Sequence, residues 1–311
     1  MTTPNTHVIP REIPEKIQPI ITWLADSLDE VVNFGSNIIE WDNKPVSDGE
    51  ENIAPMMLLR HLLDVVDSIS ILTRNATGDP AKILARAVLE ITLYLEYLFE
   101  KDTHNRAMAF LVEDTIRLIK SMKKIHPNKK ESKEMYEVFK SENLLSNLNV
   151  TIKDTEELDN FLKSKESLLQ LPQFKNAYKE YEKLKKNGEA NPKWYRYFNG
   201  PKNIEALAKH LKQRSLYEII YRKWSGSVHG TDIYLGKIQS TEDPGKVDIV
   251  QIRFVKDVQE VVSYSLIMAC KVFRLYIQKR IPGKNMEYAN WYLQIRDSFI
   301  KITSKKYIKV E

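Results

Sequence analysis

The chain has 311 residues, of which 42% are apolar and 29% charged, with one cysteine, ten glycines and a formal net charge of +5. General disorder is excluded by that balance. A single cysteine, Cys270, excludes an internal disulfide framework and a cysteine-built zinc ribbon. Few glycines argue against glycine-heavy all-β architectures. No run reaches the ~18 uncharged apolar residues of a membrane span: the richest stretch, 83–99, carries Arg86, Glu90 and Glu96. The first eleven residues are polar, hold two prolines and lack the apolar core of a signal peptide. A cytoplasmic protein without a membrane partner is therefore expected. Charge is uneven. Residues 271–311 hold ten Lys or Arg against three acids, a surplus of seven, so residues 1–270 sum to −2. Two readings fit this basic end, an anionic partner such as nucleic acid or a solvated lysine-rich helix and tail.

Helical spacing runs almost throughout. Ile17, Ile20, Ile21, Leu24, Leu28 and Val31 recur at three and four residues and predict a first amphipathic helix. A second is expected over 53–72, carrying Leu58, Leu62, Val65, Val66, Ile69 and Leu72. Asn75, Gly78, Asp79 and Pro80 read as a turn, with Pro80 opening the next helix. That helix, over 81–100, is apolar on most sides and belongs at the centre of a bundle. A fourth, over 104–125, is stopped by Pro127. From Lys123 to Gly188 fourteen lysines and eleven acids intermix, which reads as solvated helix faces and a helical excursion. Trp194 to Phe198 closes it with an aromatic cluster. One helix over 204–224 is expected to lead into the stretch SGSVHGTD. Tyr234–Ser240 and Lys246–Phe254 flank a turn-rich Thr241–Gly245 and predict one β-hairpin. Helices over 256–278 and 286–303 follow, separated by Pro282 and Gly283. The domain reading is an N-terminal extension (1–48), a bundle core in two parts (49–122 and 194–283), a charged insertion (123–193) and a basic C-terminal helix and tail (284–311).

Standard metal and phosphate signatures are missing. There is no His-Glu-x-x-His, no Glu-x-x-His and no phosphate-cradling glycine loop, so neither a metal nor another cofactor is expected. Ser121-x-x-Lys124 lacks its companion motifs, and His61 with Asp64 reads as a local hydrogen bond. Glu218, Arg222, Ser225 and His229 are more informative. At about 100° per residue they fall near 0°, 40°, −20° and 20°, one narrow polar stripe on a continuous helix. Tyr217, Tyr221, Trp224 and Val228 run beside it as an anchoring stripe. A guanidinium, a hydroxyl and an imidazole on one face suit phosphodiester chemistry, with histidine moving a proton and arginine holding the phosphate. The alternative is structural. His229 before Gly230 can be a helix C-terminus, and Glu218 with Arg222 an ordinary i,i+4 pair. Arg86 and Glu90, four apart on the central helix, read either as a structural ion pair or as a second layer behind His229.

The spacing Arg222-x6-His229 is similar to the Arg-x(4–6)-His motif of the HEPN (higher eukaryotes and prokaryotes nucleotide-binding) superfamily. The segment WYRYFNGPKNIEALAKHLKQRSLYEIIYRKWSGSVHGTD, with the earlier LARAVLE, resembles a bacterial domain-of-unknown-function family, number 5677, over roughly residues 50–280. The matching positions are Arg86 and Glu90, then Tyr221, Ser225, Val228, His229 and Gly230. Two departures stand out: Lys223 follows Arg222 where active HEPN members usually carry a small polar or acidic residue, and Ser225-Gly226-Ser227 can interrupt the helix. The resemblance implies an all-α, HEPN-like multi-helix bundle, here with a small β-hairpin. It also implies a metal-independent endoribonuclease used as a toxin or abortive-infection effector, working as a homodimer and paired with an antitoxin or defence partner. On that reading Arg222, His229 and Ser225 carry the chemistry, supported by Glu218, Arg86, Glu90 and Tyr221. Lys301, Lys305 and Lys306 would hold RNA. The rival expectation is a non-catalytic helical interaction or regulatory module.

Overall fold

The structure, a computed structural model, describes residues 9, 11–43, 49–142, 155–229, 237–241, 243 and 245–308. At 50, 139, 140, 228, 229, 239 and 240 the description stops at the backbone. The architecture is all-α with one two-stranded ribbon, and it divides into two compact units. Among the described residues no helix is long and apolar enough to cross a membrane.

The larger unit takes in residues up to 48, 55–101 and 204–311. Its helices are α1 (Gln18–Trp41), most of α2 (Ile53–Arg74), α3 (Gly78–Glu100), α8 (Ile204–His210), α9 (Arg214–Leu216), α10 (Ser225–His229), α11 (Val258–Arg280) and α12 (Asn285–Ser304). α11 packs against α3, α1 and α12. The central position expected for the apolar 81–100 stretch is what α3 occupies, with Ala85, Val88, Leu89, Leu93, Leu95 and Leu98 fully buried. It starts earlier than its sequence suggests, at Gly78 rather than after Pro80. A Cβ on Gly78 would come within 2.6 Å of the Lys256 carbonyl, so the helix start presses directly on the chain entering α11. Lys82 bridges the same two places, 2.9 Å from Asp79 and 2.7 Å from Asp257. Burial opposes its charge, but the two carboxylates outweigh that and raise its pKa.

Gly35 explains how three helices approach at the other end. A Cβ there would meet Leu63 of α2 at 2.4 Å and Phe273 of α11 at 2.8 Å. Close by, Phe34 stacks on Trp291 at 4.1 Å. The buried Asp42 accepts the Tyr276 hydroxyl at 2.6 Å and two Arg280 nitrogens at 2.9 and 3.0 Å. Cys270 is buried on α11, which pushes its thiol pKa up to about 12 and leaves it inert.

In the smaller unit, residues 49–54 and 102–203, α4 (Thr103–Ile125) is the spine. α5 (Lys130–Ser141), α6 (Thr155–Leu168), α7 (Lys175–Lys186) and a 3₁₀ turn at Trp194–Arg196 pack on it. Glu113 of α4 fixes that turn by accepting the Trp194 backbone N–H at 2.6 Å. The expected aromatic cluster forms there, with Trp194, Tyr195 and Tyr197 all buried. At the end of α4, buried His126 accepts the Asn128 N–H at Nδ1, which leaves Nε2 to face Asp159 at 3.1 Å.

Two expectations need correcting. The single helix over 204–224 is broken: α8 ends at His210, and Lys212 takes a left-handed φ of 59°. Gln213 N–H then reaches back to Ala208 O at 2.7 Å and Lys212 N–H to Lys209 O at 3.1 Å. This is a Schellman ending with lysine where glycine is usual, so no glycine announces it. The hairpin forms, with Ile238, Gln239 and Ser240 paired antiparallel to Ile249, Asp248 and Val247. Its described strands are only three residues long, and all three β2 residues are exposed, so no described layer covers that strand. Tyr234 to Gly236 lie outside the described residues.

Candidate active site

The candidate motif rests on a backbone of unusual geometry. From Tyr217 to Lys223 the chain is a π-helix, a form that is rare and frequently marks functional sites. Trp224 then turns the chain before α10 resumes at Ser225. The interruption thus falls one residue ahead of Ser225-Gly226-Ser227, which is itself helical. The stripe drawn at 100° per residue does not survive as one continuous α-helical face. Contacts between residues four apart do survive. Tyr217 and Tyr221 stack with centroids 5.0 Å apart and planes at 14°, and Arg222 lies 3.7 Å from Glu218.

α3 packs against both the π segment and α10, and this brings the two halves of the sequence pattern together. The Arg86 guanidinium lies over the Tyr221 ring at 4.0 Å. Arg222 lies 6.0 Å from the Tyr217 ring. The result is one contiguous group: Arg86 on the Tyr221 ring, Tyr221 stacked on Tyr217, and Arg222 beside Tyr217, to which it is hydrogen-bonded. The ion pair expected between Arg86 and Glu90 is not formed. Stacking carries the guanidinium to Tyr221, while Glu90 accepts the Tyr94 hydroxyl at 3.3 Å. Arg86 Nη1 is consequently buried with no hydrogen-bond partner among the described residues, a costly state for a charged donor.

Arg222 is 57% exposed and shared by two carboxylates, Glu205 at 3.3 Å and Glu218 at 3.7 Å. Glu218, then Glu205 and a hydrogen bond with Tyr217, raise its pKa and keep it charged. Glu218 also faces Arg214 at 3.6 Å. Glu205 was not legible as a site residue, because the turn at Lys212, unmarked in the sequence, is what returns α8 to the π segment. Lys223, the departure from the HEPN pattern, is taken up by Glu260 of α11 at 3.3 Å. Trp224 is buried against Tyr264 and anchors the segment. Ser225 is half-buried at the start of α10. The backbone of His229 closes α10, but its side chain, that of Val228, and Gly230 lie outside the described residues.

The basic tail is ordered rather than loose up to Ile308. The buried Gln259 donates to the carbonyls of Ile302 and Lys305 and accepts the N–H groups of Tyr307 and Ile308. Lys305 and Lys306 are exposed there and line a cavity of about 490 Å³ with Lys256, Glu260 and Tyr264. A second cavity of about 440 Å³ shares Lys256 and Asp257 and reaches Lys237, Phe254 and Ser227 of α10. A line of lysines therefore runs from the tail to the motif helix. Lys301, on α12, is exposed and lines neither cavity.

Compared with known proteins, the chain matches one family model over residues 52–246, described as a family of unknown function (DUF5677). No curated protein and no solved structure matches it.

Proposed function

Since the chain belongs to the family of unknown function DUF5677, its activity has to be argued from its own residues, and we propose a HEPN-like, metal-independent endoribonuclease. The observation that carries this reading is the Arg86–Tyr221–Tyr217–Arg222 group. It places two guanidiniums beside the helix that bears Ser225 and His229. Guanidiniums pair with phosphate through two hydrogen bonds and meet charge as it builds in the transition state. Arg222 holds a non-bridging oxygen, and Arg86 acts behind it by fixing the tyrosine pair that Arg222 leans on. His229 takes the proton from a ribose 2′-hydroxyl or returns one to the leaving 5′-oxygen. The 2′-oxygen attacks phosphorus, the P–O5′ bond breaks, and the products end in 2′,3′-cyclic phosphate and 5′-hydroxyl. The lysines around Lys256, Lys305 and Lys306 supply phosphate contacts along the strand. In the cell this is a cytoplasmic toxin or antiviral abortive-infection effector, acting as a homodimer and held in check by an antitoxin or other defence partner.

The test is RNA cleavage by purified protein in EDTA. His229→Ala and Arg222→Ala should each lower the rate by about 10²–10⁴-fold while leaving the thermal midpoint unchanged. Arg222→Lys should rescue poorly, because an ammonium lacks the planar two-pronged donor. Cleavage only with added metal, or equal activity of wild type and both variants, overturns the mechanism. A second reading has its own observation: Glu205 and Glu218 already engage Arg222, as they would in a non-catalytic interaction or regulatory module. That reading requires no cleavage at all, and a fall in stability when Arg222 is removed.

A further inference from the structure

α12 is apolar on two faces. Its inner face, with Trp291 and Ile302 buried, packs on α11 and α1. Its outer face carries Met286 at 69% exposure, Leu293 at 61% and Ile300 at 49%, with no described element over them. These three residues are seven apart. At about 100° per residue they lie near 0°, −20° and −40°, a single row along two heptads. Scattered surface apolar residues need no explanation, but a heptad row on a 20-residue helix is a seam without a partner.

We propose that a second copy of this chain covers that seam, with the two α12 helices antiparallel about a two-fold axis at Leu293. The spacing is self-complementary in that arrangement. Leu293 meets Leu293, and Met286 of each copy meets Ile300 of the other, because both stand seven residues from the axis. The polar flank agrees. Asn290, Asp297, Lys301 and Glu287 all fall on one side of the row, at about 40°, 20°, 60° and 100°, and in an antiparallel pair like flanks face each other. Asp297 comes level with Asn290 of the other copy. Lys301, which has no ion pair among the described residues, comes within about 3 Å along the axis of Glu287 of the other copy. Among the residues of that flank no like charges are brought opposite one another, and Glu287 keeps Lys284 of its own copy at 2.9 Å. A parallel pair would instead set unlike flanks opposite one another and take Lys301 away from Glu287. The seam is narrow, with three apolar residues per copy, so the dimer forms and dissociates in the micromolar range rather than being permanent. The pairing does not depend on ribonuclease activity.

Sedimentation velocity on the full chain tests it. Wild type should shift from monomer to dimer across tens of micromolar, and Leu293→Glu should weaken association at least tenfold. Leu293 is mostly exposed, so the thermal midpoint should not move; if Leu293→Glu fails to fold, Leu293→Ser serves the same purpose. Orientation is read by oxidative cross-linking, with buried Cys270 a silent background. Leu293→Cys should link to itself. Met286→Cys alone should not, since its two copies stand about 21 Å apart along the axis, but a mixture of Met286→Cys and Ile300→Cys proteins should. A wild type that stays monomeric, a Leu293→Glu variant that dimerises normally, or self-linking by Met286→Cys alone would each overturn the proposal.

Discussion

α11 and the stretch from Ile204 to His229 are similar in length and lie in the same unit, yet they are built on different principles. α11 is one unbroken helix of 23 residues with thirteen of them buried, almost all apolar. The other stretch is cut into α8, α9, a π segment and α10, and only a few of its side chains, among them Leu207, Ile220 and Trp224, are fully buried. Ring stacking and ion pairs hold its position: the two tyrosines, the two arginines, Glu205 and Glu218. Apolar burial makes α11 a fixture of the core. Polar and aromatic contacts make the second stretch adjustable and of lower local stability, and this is the part that bears the candidate motif.

The strongest test of that contrast attacks the core where it is polar. Asp42 is fully buried and accepts hydrogen bonds from Tyr276 and Arg280, tying α1 to the end of α11. Asp42→Ala should cost about 3–5 kcal/mol, because it takes the buried carboxylate away from the mostly covered Arg280 and from the buried Tyr276 hydroxyl. Denaturant unfolding measures the loss, and hydrogen exchange should rise along the whole of α11. A loss under about 1 kcal/mol would mean that apolar packing alone fixes the helix.

A smaller effect is expected at Gln259, the one amide buried on α11. Gln259→Leu keeps the volume but removes four hydrogen bonds to the chain around the end of α12. It should cost about 1–3 kcal/mol and expose the bonds after Lys305 and Lys306 to trypsin well before the rest of the chain. Equal trypsin resistance in the variant would show that the tail is held by Ile308 alone.

Weaker still, and specific to the second stretch, is the stack itself. Tyr221→Ala should lower stability by about 1–2 kcal/mol, since it takes away both the ring pairing with Tyr217 and the face on which Arg86 rests. RNA cleavage should fall with it as Arg86 and Arg222 lose their common spacer. Tyr221→Phe keeps the ring and should behave as wild type. If phenylalanine is as damaging as alanine, the hydroxyl rather than the stack is what matters.

The contrast also sets what could be read in advance. α1, α2, α3, α4, α11 and α12 follow from apolar spacing, since burial of one face is what that spacing records. The ends were less legible: α3 begins at Gly78 because a close approach to Lys256 demands glycine there, not because of a cap. The break at Lys212 and the π segment leave no mark, as neither uses the glycine or proline that ordinarily punctuates helices. The partner of Arg222 in α8 was hidden for that reason. Pairing of Arg86 with Glu90 four residues on follows the rule for an isolated helix; a ring from another element outcompetes it. The outer row of α12 is not legible at all, because a period gives the spacing of apolar residues, not which of them meet solvent.

The smallest expected effect concerns only charge. Lys305 and Lys306 are exposed on a tail that Gln259 pins, and they share a cavity with Lys256, whose second cavity reaches Ser227. Replacing both with alanine removes no packing, so stability should stay within about 0.5 kcal/mol. If both touch phosphates of a single strand, the slope of log affinity against log salt should flatten by about 1.4, roughly 0.7 for each phosphate no longer neutralised. Lys301 tests the geometry separately. It lines neither cavity, so Lys301→Ala should leave the salt slope for RNA unchanged and instead weaken self-association through the α12 seam. A flattened slope from Lys301→Ala, with none from the Lys305 and Lys306 pair, would place the RNA path along the outer face of α12 and leave the lysines near Ser227 as a solvated surface.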